Sequence, residues 1–118
     1  MRPNLLSWQY QGYPEFHRNR TNLLLHIVAV PAFVISFAGL VLAAFALHWA
    51  QMAAGLLGMV GSFLVQGVGH QRESTPSIPF AGAGDAVSRI FTEQFVTFPR
   101  FVFSGGFGRA LKATAPAR

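Results

Sequence analysis

Two long apolar runs dominate the chain. From Leu23 to Leu47 the only strongly polar side chain is His26, and a second run extends from about Ala50 to Val68. At 1.5 Å rise per residue, a helical run of about 20 residues crosses a hydrocarbon core about 30 Å thick. His48, Trp49 and Gln51 lie between the runs and read as a short turn at one interface. The pattern predicts a two-helix transmembrane hairpin over about 23–47 and 50–68. Pro31 removes the helical donor for the carbonyl of Ile27 and should kink the first helix near His26. It is either a tolerated membrane proline or the feature that sets the angle at which His26 enters a site.

The flanking segments are more polar. Residues 1–13 carry Trp8, Tyr10 and Tyr13, rings that favour the headgroup layer. Pro14 and Glu15 suit the first turn of an N-terminal helical segment. Residues 71–85 form a loop broken by Pro76, Pro79, Gly82 and Gly84, and Asp85 can cap the next helix. A third apolar segment, about 86–103, holds Arg89, Glu93, Gln94, Pro99 and Arg100. Its polarity predicts an interfacial or re-entrant helix covering a site, with a broken membrane pair as the alternative. The Gly- and Ala-rich tail from Ser104 is expected to be mobile. Gly55, Gly58 and Gly61 recur at three-residue spacing, which suits close packing against the first helix or against a second copy in a homo-oligomer. No internal repeat is evident.

Composition agrees with a membrane domain. The 118 residues are 52% apolar and only 11% charged, whereas soluble domains average about 25% charged. The net charge of +5 would hint at nucleic acid in a soluble protein. Here, however, no Arg or Lys lies between residues 21 and 71. Positive residues held outside the spans predict both termini on the cytoplasmic side, and nucleic-acid binding is not expected. The late, long first run is a poor signal peptide. With no cysteine, any metal must take N and O ligands. The expected fold is therefore an all-α integral membrane protein, one domain over residues 1–118.

The hairpin carries His17, His26 and His70 to one face and leaves His48 at the other. Imidazole is the commonest side-chain metal ligand, so the cluster suggests a metal site. Asn19, Asn22 and His26 share one helical face, and Gln66, His70 and Glu73 repeat that spacing. Amides and carboxylates beside ligating histidines fix their tautomers. His17 precedes His26 by nine residues, about half a turn out of phase on a straight helix. A break near Thr21, capped by Thr21 or Asn22, would let it join; otherwise it reaches a second subunit or is an interfacial side chain. Glu73 could be a ligand, an outer base or a partner for Arg72 or Arg89. Arg18, Arg20 and Arg72 serve as topology signals or receive an anionic headgroup.

The segments H-R-N-R-T-N-L-L-L-H-I-V-A-V-P (His17 to Pro31) and Q-G-V-G-H-Q-R-E-S-T-P (Gln66 to Pro76) resemble the two signature segments of the Mpo1-like family. Its fungal member is an iron(II)-dependent 2-hydroxy fatty acid dioxygenase of phytosphingosine degradation. The match falls on His17, Asn22, His26, Pro31, Gln66, Gly69, His70, Glu73 and Pro76. In this chain the acid follows His70 by three residues rather than the four of the fungal members, and Glu93 to Gly106 looks like a bacterial branch. The resemblance implies α-oxidation: a 2-hydroxy fatty acid loses its carboxyl carbon while O2 is consumed. It implies Fe(II) held by His17, His26 and His70, with Asn22, Gln66 and Glu73 around them. An arginine among Arg18, Arg20 and Arg72 would orient the carboxylate, and the acyl chain would lie between the helices or in membrane lipid. The residues alone leave two rivals: a haem electron carrier with His26 and His70 as axial ligands, and a non-catalytic membrane protein binding lipid or partner helices.

Overall fold

Asn19 starts the first long helix. Its side chain accepts a hydrogen bond from the Asn22 amide at 3.1 Å, which satisfies one of the unpaired donors at a helix N-terminus. The computed structural model describes residues 2–114, and these are all-helical; Arg118, one of the flanking basic residues, lies outside them. In chain order the elements are α1 (Leu5–Gly12), a 3-10 turn (Tyr13–Phe16), α2 (Arg20–Phe45), α3 (Trp49–His70), α4 (Ala83–Thr92), a π-helical segment (Glu93–Thr97), α5 (Phe98–Phe103) and α6 (Gly106–Ala113).

The helices α2 and α3 are the expected hairpin, and both are long and apolar enough to cross a membrane. Helix α2 continues through Pro31. Leu47, at a positive φ of 54°, turns the chain, and the His48 amide closes the turn on the Ala43 carbonyl at 2.9 Å. Val28, Ile35, Leu42 and Leu57 are each 71% exposed, so the outer faces of the hairpin form an apolar band that no element among the described residues covers. Two of the three spaced glycines set the inner packing. A Cβ on Gly55 would sit 2.9 Å from the Ser36 carbonyl oxygen, and one on Gly58 would collide with the Ser36 side chain. Gly61 faces open space and takes no part in this contact.

The remaining elements gather at the end of the hairpin where α2 starts and α3 stops. Residues 83–103 form a continuous helical stretch, beginning three residues before the expected start. It lies along α2 through aromatic pairs: Phe91 on Phe33 and Phe37 at 5.6 and 5.2 Å, and Phe95 on Phe37 at 5.5 Å. Asp85 does not cap α4, whose N-cap is Gly82. Instead its carboxylate accepts from the Ala81 amide and from Arg89, at 3.0 and 3.2 Å.

Within the tail expected to be mobile, Gly106–Ala113 form helix α6; residues 115–118 of that tail lie outside the described residues. Gly105 reverses the chain at φ 88°, a conformation that favours glycine. Phe107, Ala110 and Leu111 then pack on a core of Tyr13, Leu23, Val30, Phe98 and Phe101. Sequence reasoning missed α6 because its apolar residues are sparse, although they fall on one helical face.

The packing makes a direct prediction. Gly55→Ala forces backbone apart and should destabilise the hairpin by about 1–3 kcal/mol. Gly61→Ala should be neutral or stabilising by up to about 1 kcal/mol, the propensity gain over glycine. Thermal unfolding in detergent, followed by helical circular dichroism, checks both.

Candidate metal centre

His17 joins the other histidines because the chain breaks before α2. Residues 17–19 are non-helical between the 3-10 turn and α2. The break thus falls at 17–19 rather than near Thr21, and the cap is Asn19 rather than Thr21 or Asn22. Glu73 holds it in place. Its carboxylate accepts from the Arg18 amide at 2.9 Å, from the Asn19 amide at 3.0 Å and from the Asn22 side chain at 2.7 Å. A carboxylate at this position also favours the positive end of the α2 dipole. Glu73 is therefore tied to the entry of α2.

Three imidazoles meet below this break. The ring centroids of His17 and His26 lie 4.9 Å apart, those of His17 and His70 4.8 Å, and those of His26 and His70 5.0 Å. His26 is wholly buried and His17 nearly so. His70 reaches the cluster because Gly69 lets α3 approach α2: a Cβ there would lie 3.2 Å from the Asn22 Cα. His48 is exposed at the far end of the hairpin.

Glu93 is the fourth member. It opens the π-helical segment, a local widening of the helix common at functional sites. Its Oε2 faces His17 Nε2 at 3.6 Å and His26 Nε2 at 3.5 Å. One donor atom from each of His17, His26, His70 and Glu93 can be chosen so that all lie within 4.8 Å of one another. Sequence reasoning noted Glu93 only as a reason for 86–103 not to span. The available signal was an adjacent Glu-Gln pair inside an apolar helix.

The tautomers are fixed by carbonyls. His17 Nδ1 donates to the Tyr13 carbonyl at 2.8 Å and His26 Nδ1 to the Asn22 carbonyl at 3.0 Å. A carbonyl only accepts, so each Nδ1 carries the proton and each Nε2 turns a lone pair inward. Both Nε2 atoms, and Nδ1 of His70, are buried without a hydrogen-bond partner. Native structures seldom leave buried polar atoms unpaired, and an ion is one explanation. Two donors about 2.1 Å from one ion, at a tetrahedral angle, lie about 3.4 Å apart. The 3.5 and 3.6 Å separations to Glu93 match that spacing, and the group, whose donors all lie within 4.8 Å of one another, could hold a single ion with an N3O donor set.

The electrostatics follow the same geometry. Burial alone would raise the Glu93 carboxyl, but positive charge on the side of His17 and His26 outweighs it and holds it well below the ordinary carboxylate range, a charge that inward lone pairs leave to a bound cation. The Tyr13 hydroxyl donates to Glu93 Oε2 at 2.7 Å. Burial, with the Glu93 charge behind it, pushes the Tyr13 phenol well above its usual value, so the proton stays on the tyrosine.

A cavity of about 700 Å³ opens onto the cluster, within the roughly 300–1,000 Å³ of small-molecule sites. His17, His70 and Glu93 line it, whereas His26 lies behind them. Trp8, Phe16, Phe63, Ile78, Phe80 and Ile90 supply apolar walls. Gln66, also in the wall, exchanges two 2.8 Å hydrogen bonds with Gln94 and ties α3 to the π-helical segment. None of Arg18, Arg20 and Arg72 lines the cavity; Arg89 does. Its guanidinium holds the Ile78 and Pro79 carbonyls at 2.8 and 3.1 Å and lies over the Phe80 ring.

Compared with family models, curated proteins and solved structures, the chain has no significant match.

Removing the Glu73 carboxylate tests how far the centre depends on the break. Glu73→Ala leaves all four donors in place but frees the Arg18 and Asn19 amides. It should cost about 1.5–3 kcal/mol of stability, the range for hydrogen bonds to a charged group, and weaken metal retention. Thermal unfolding and elemental analysis of the purified variant measure the two effects.

Proposed function

We propose that this chain is an integral-membrane, iron(II)-dependent dioxygenase that shortens 2-hydroxy fatty acids by one carbon. The carrying observation is that unpartnered imidazole nitrogens of His17, His26 and His70 converge with Glu93 at the side of an apolar-walled cavity. Imidazole and carboxylate donors with room for further ligands suit non-haem Fe(II). The resemblance of the two histidine segments to the 2-hydroxy fatty acid dioxygenases points the same way. The proposed setting is a bacterial inner membrane with both termini cytoplasmic. It is supported by the uncovered apolar band and by the absence of Arg and Lys between residues 21 and 71.

In this reading His17, His26, His70 and Glu93 hold the ion, and iron(II) supplies the redox chemistry that lets O2 react with an organic substrate. His26 seals the buried side, and His17, His70 and Glu93 line the cavity, so a substrate would approach a bound ion from that side. A 2-hydroxycarboxylate enters head first, and the apolar walls receive its acyl chain. Phe63 and Gly67 lie along that path, with no atom within 4 Å of a Cβ built on Gly67. The walls exclude bulk water from the reacting carbon. One O2 per 2-hydroxy acid balances as the fatty acid shorter by one carbon, carbon dioxide and water, with no external reductant. Three ring centroids within 5.0 Å of one another leave no slot for a macrocycle between His26 and His70. That spacing favours a single ion over a haem.

Elemental analysis after anaerobic purification with iron, combined with oxygen uptake on 2-hydroxypalmitate, tests the proposal. Stoichiometric iron, no Soret band and formation of the fatty acid one carbon shorter are expected. His26→Ala and His70→Ala should each lose both iron and oxygen uptake. Full metal occupancy in the double variant overturns the proposal, and an empty wild-type site favours a non-catalytic lipid- or partner-binding protein.

A second prediction separates the cavity from the centre. Gly67→Leu should keep its iron but lower turnover of long-chain substrates by more than about tenfold, since a filled pocket forfeits chain-binding energy of more than about 1.4 kcal/mol. Comparing uptake on short and long 2-hydroxy acids reads this out.

A further inference from the structure

Tyr13 touches the cluster in three independent ways. Its backbone carbonyl receives the Nδ1 proton of His17 at 2.8 Å. Its ring stacks on the His17 imidazole, with centroids 3.7 Å apart and planes 11° from parallel. Its hydroxyl donates to Glu93 Oε2 at 2.7 Å, the same oxygen that faces the Nε2 atoms of His17 and His26. The side chain is buried within the aromatic core, against Phe98 and Phe101. It has little freedom to follow Glu93 elsewhere.

Glu93 has more freedom. It is 17% exposed and lines the cavity, and no other side chain donates a hydrogen bond to it among the described residues. A glutamate has three side-chain torsions, and a carboxylate beside a cavity gains hydration by swinging outward. The phenol, fixed by its own packing, opposes that swing. We infer that Tyr13 is a positioning residue: through its hydroxyl it keeps Glu93 turned into the histidine cluster as the fourth donor. This inference rests on the metal reading above and adds to it the residue that decides whether the site has three donors or four.

Tyr13→Phe isolates the hydroxyl, because phenylalanine keeps the carbonyl, the ring stack and the core packing. The readout is Co(II) binding to the full chain in detergent, followed by visible absorption, which reports the number and type of ligands without turnover. Tyr13→Phe should bind Co(II) about ten- to hundredfold more weakly, the usual effect of removing a group that orients a ligand. Its spectrum should take the form of the Glu93→Gln spectrum. The double variant Y13F/E93Q should bind no more weakly than E93Q alone, since a hydroxyl acting through Glu93 has nothing left to orient. A Tyr13→Phe spectrum and affinity equal to wild type would overturn the inference. So would additive losses in the double variant, which would assign the hydroxyl a role independent of Glu93. A wild-type chain that binds no Co(II) brings down the metal reading itself, and is distinguished by failing before any variant is compared.

Discussion

The candidate centre depends on the Glu73 carboxylate being held against the entry of α2. A straight helix from Tyr13 to Phe45 would place His17 and His26 on opposite faces. The chain avoids this by leaving residues 17–19 out of helical conformation, which exposes amides that need acceptors. Glu73 answers the Arg18 and Asn19 amides and, through the Asn22 side chain, fixes the first turn of α2. The contact joins the two ends of the hairpin as well. It lies just beyond His70, so one carboxylate sets the relation of all three histidines.

Around that contact, close packing brings donors together. Gly69 lets α3 reach Asn22, Asn22 offers its carbonyl to His26, and the Gln66–Gln94 pair ties the π-helical segment to α3. These polar groups sit in an apolar surround, where hydrogen bonds are strong and unpaired groups are costly. Among the buried atoms left without a partner are the inward nitrogens of the three histidines, together with Asn22 Oδ1 and Nε of Arg2 and Arg89.

Much of this was legible in the sequence. The apolar runs gave the hairpin to within a few residues, because an uninterrupted apolar stretch has few other solutions. The stripes Asn22–His26 and Gln66–His70 marked the facing surfaces, since polar residues in apolar helices must turn inward. The half-turn mismatch between His17 and His26 demanded a break, and only its location was displaced, from Thr21 to residues 17–19. Glu93 was not legible as a donor. It approaches through tertiary packing of a helix whose own pattern says only that it is too polar to span. Tyr13 was read as a headgroup-layer ring because its burial depends on α5, which lies far along the chain. Charge near a histidine in sequence does not by itself place a guanidinium in the cavity wall: Arg18, Arg20 and Arg72 are absent from it, and Arg89 comes from a distant helix.

The order of the donors along the chain has a consequence for biogenesis. His17, His26 and His70 have all been synthesised once the hairpin is complete, but Glu93 and the helix that carries it come later. Synthesis proceeds at about 5–20 residues per second, so the newly made hairpin exists for a second or more with three imidazoles and no acid. During that interval the nascent chain is open at the side that α4, the π-helical segment and α5 will cover. The stretch 83–103 therefore arrives last at the cluster, and the four-donor arrangement forms only after Glu93 and the helix that carries it have been made.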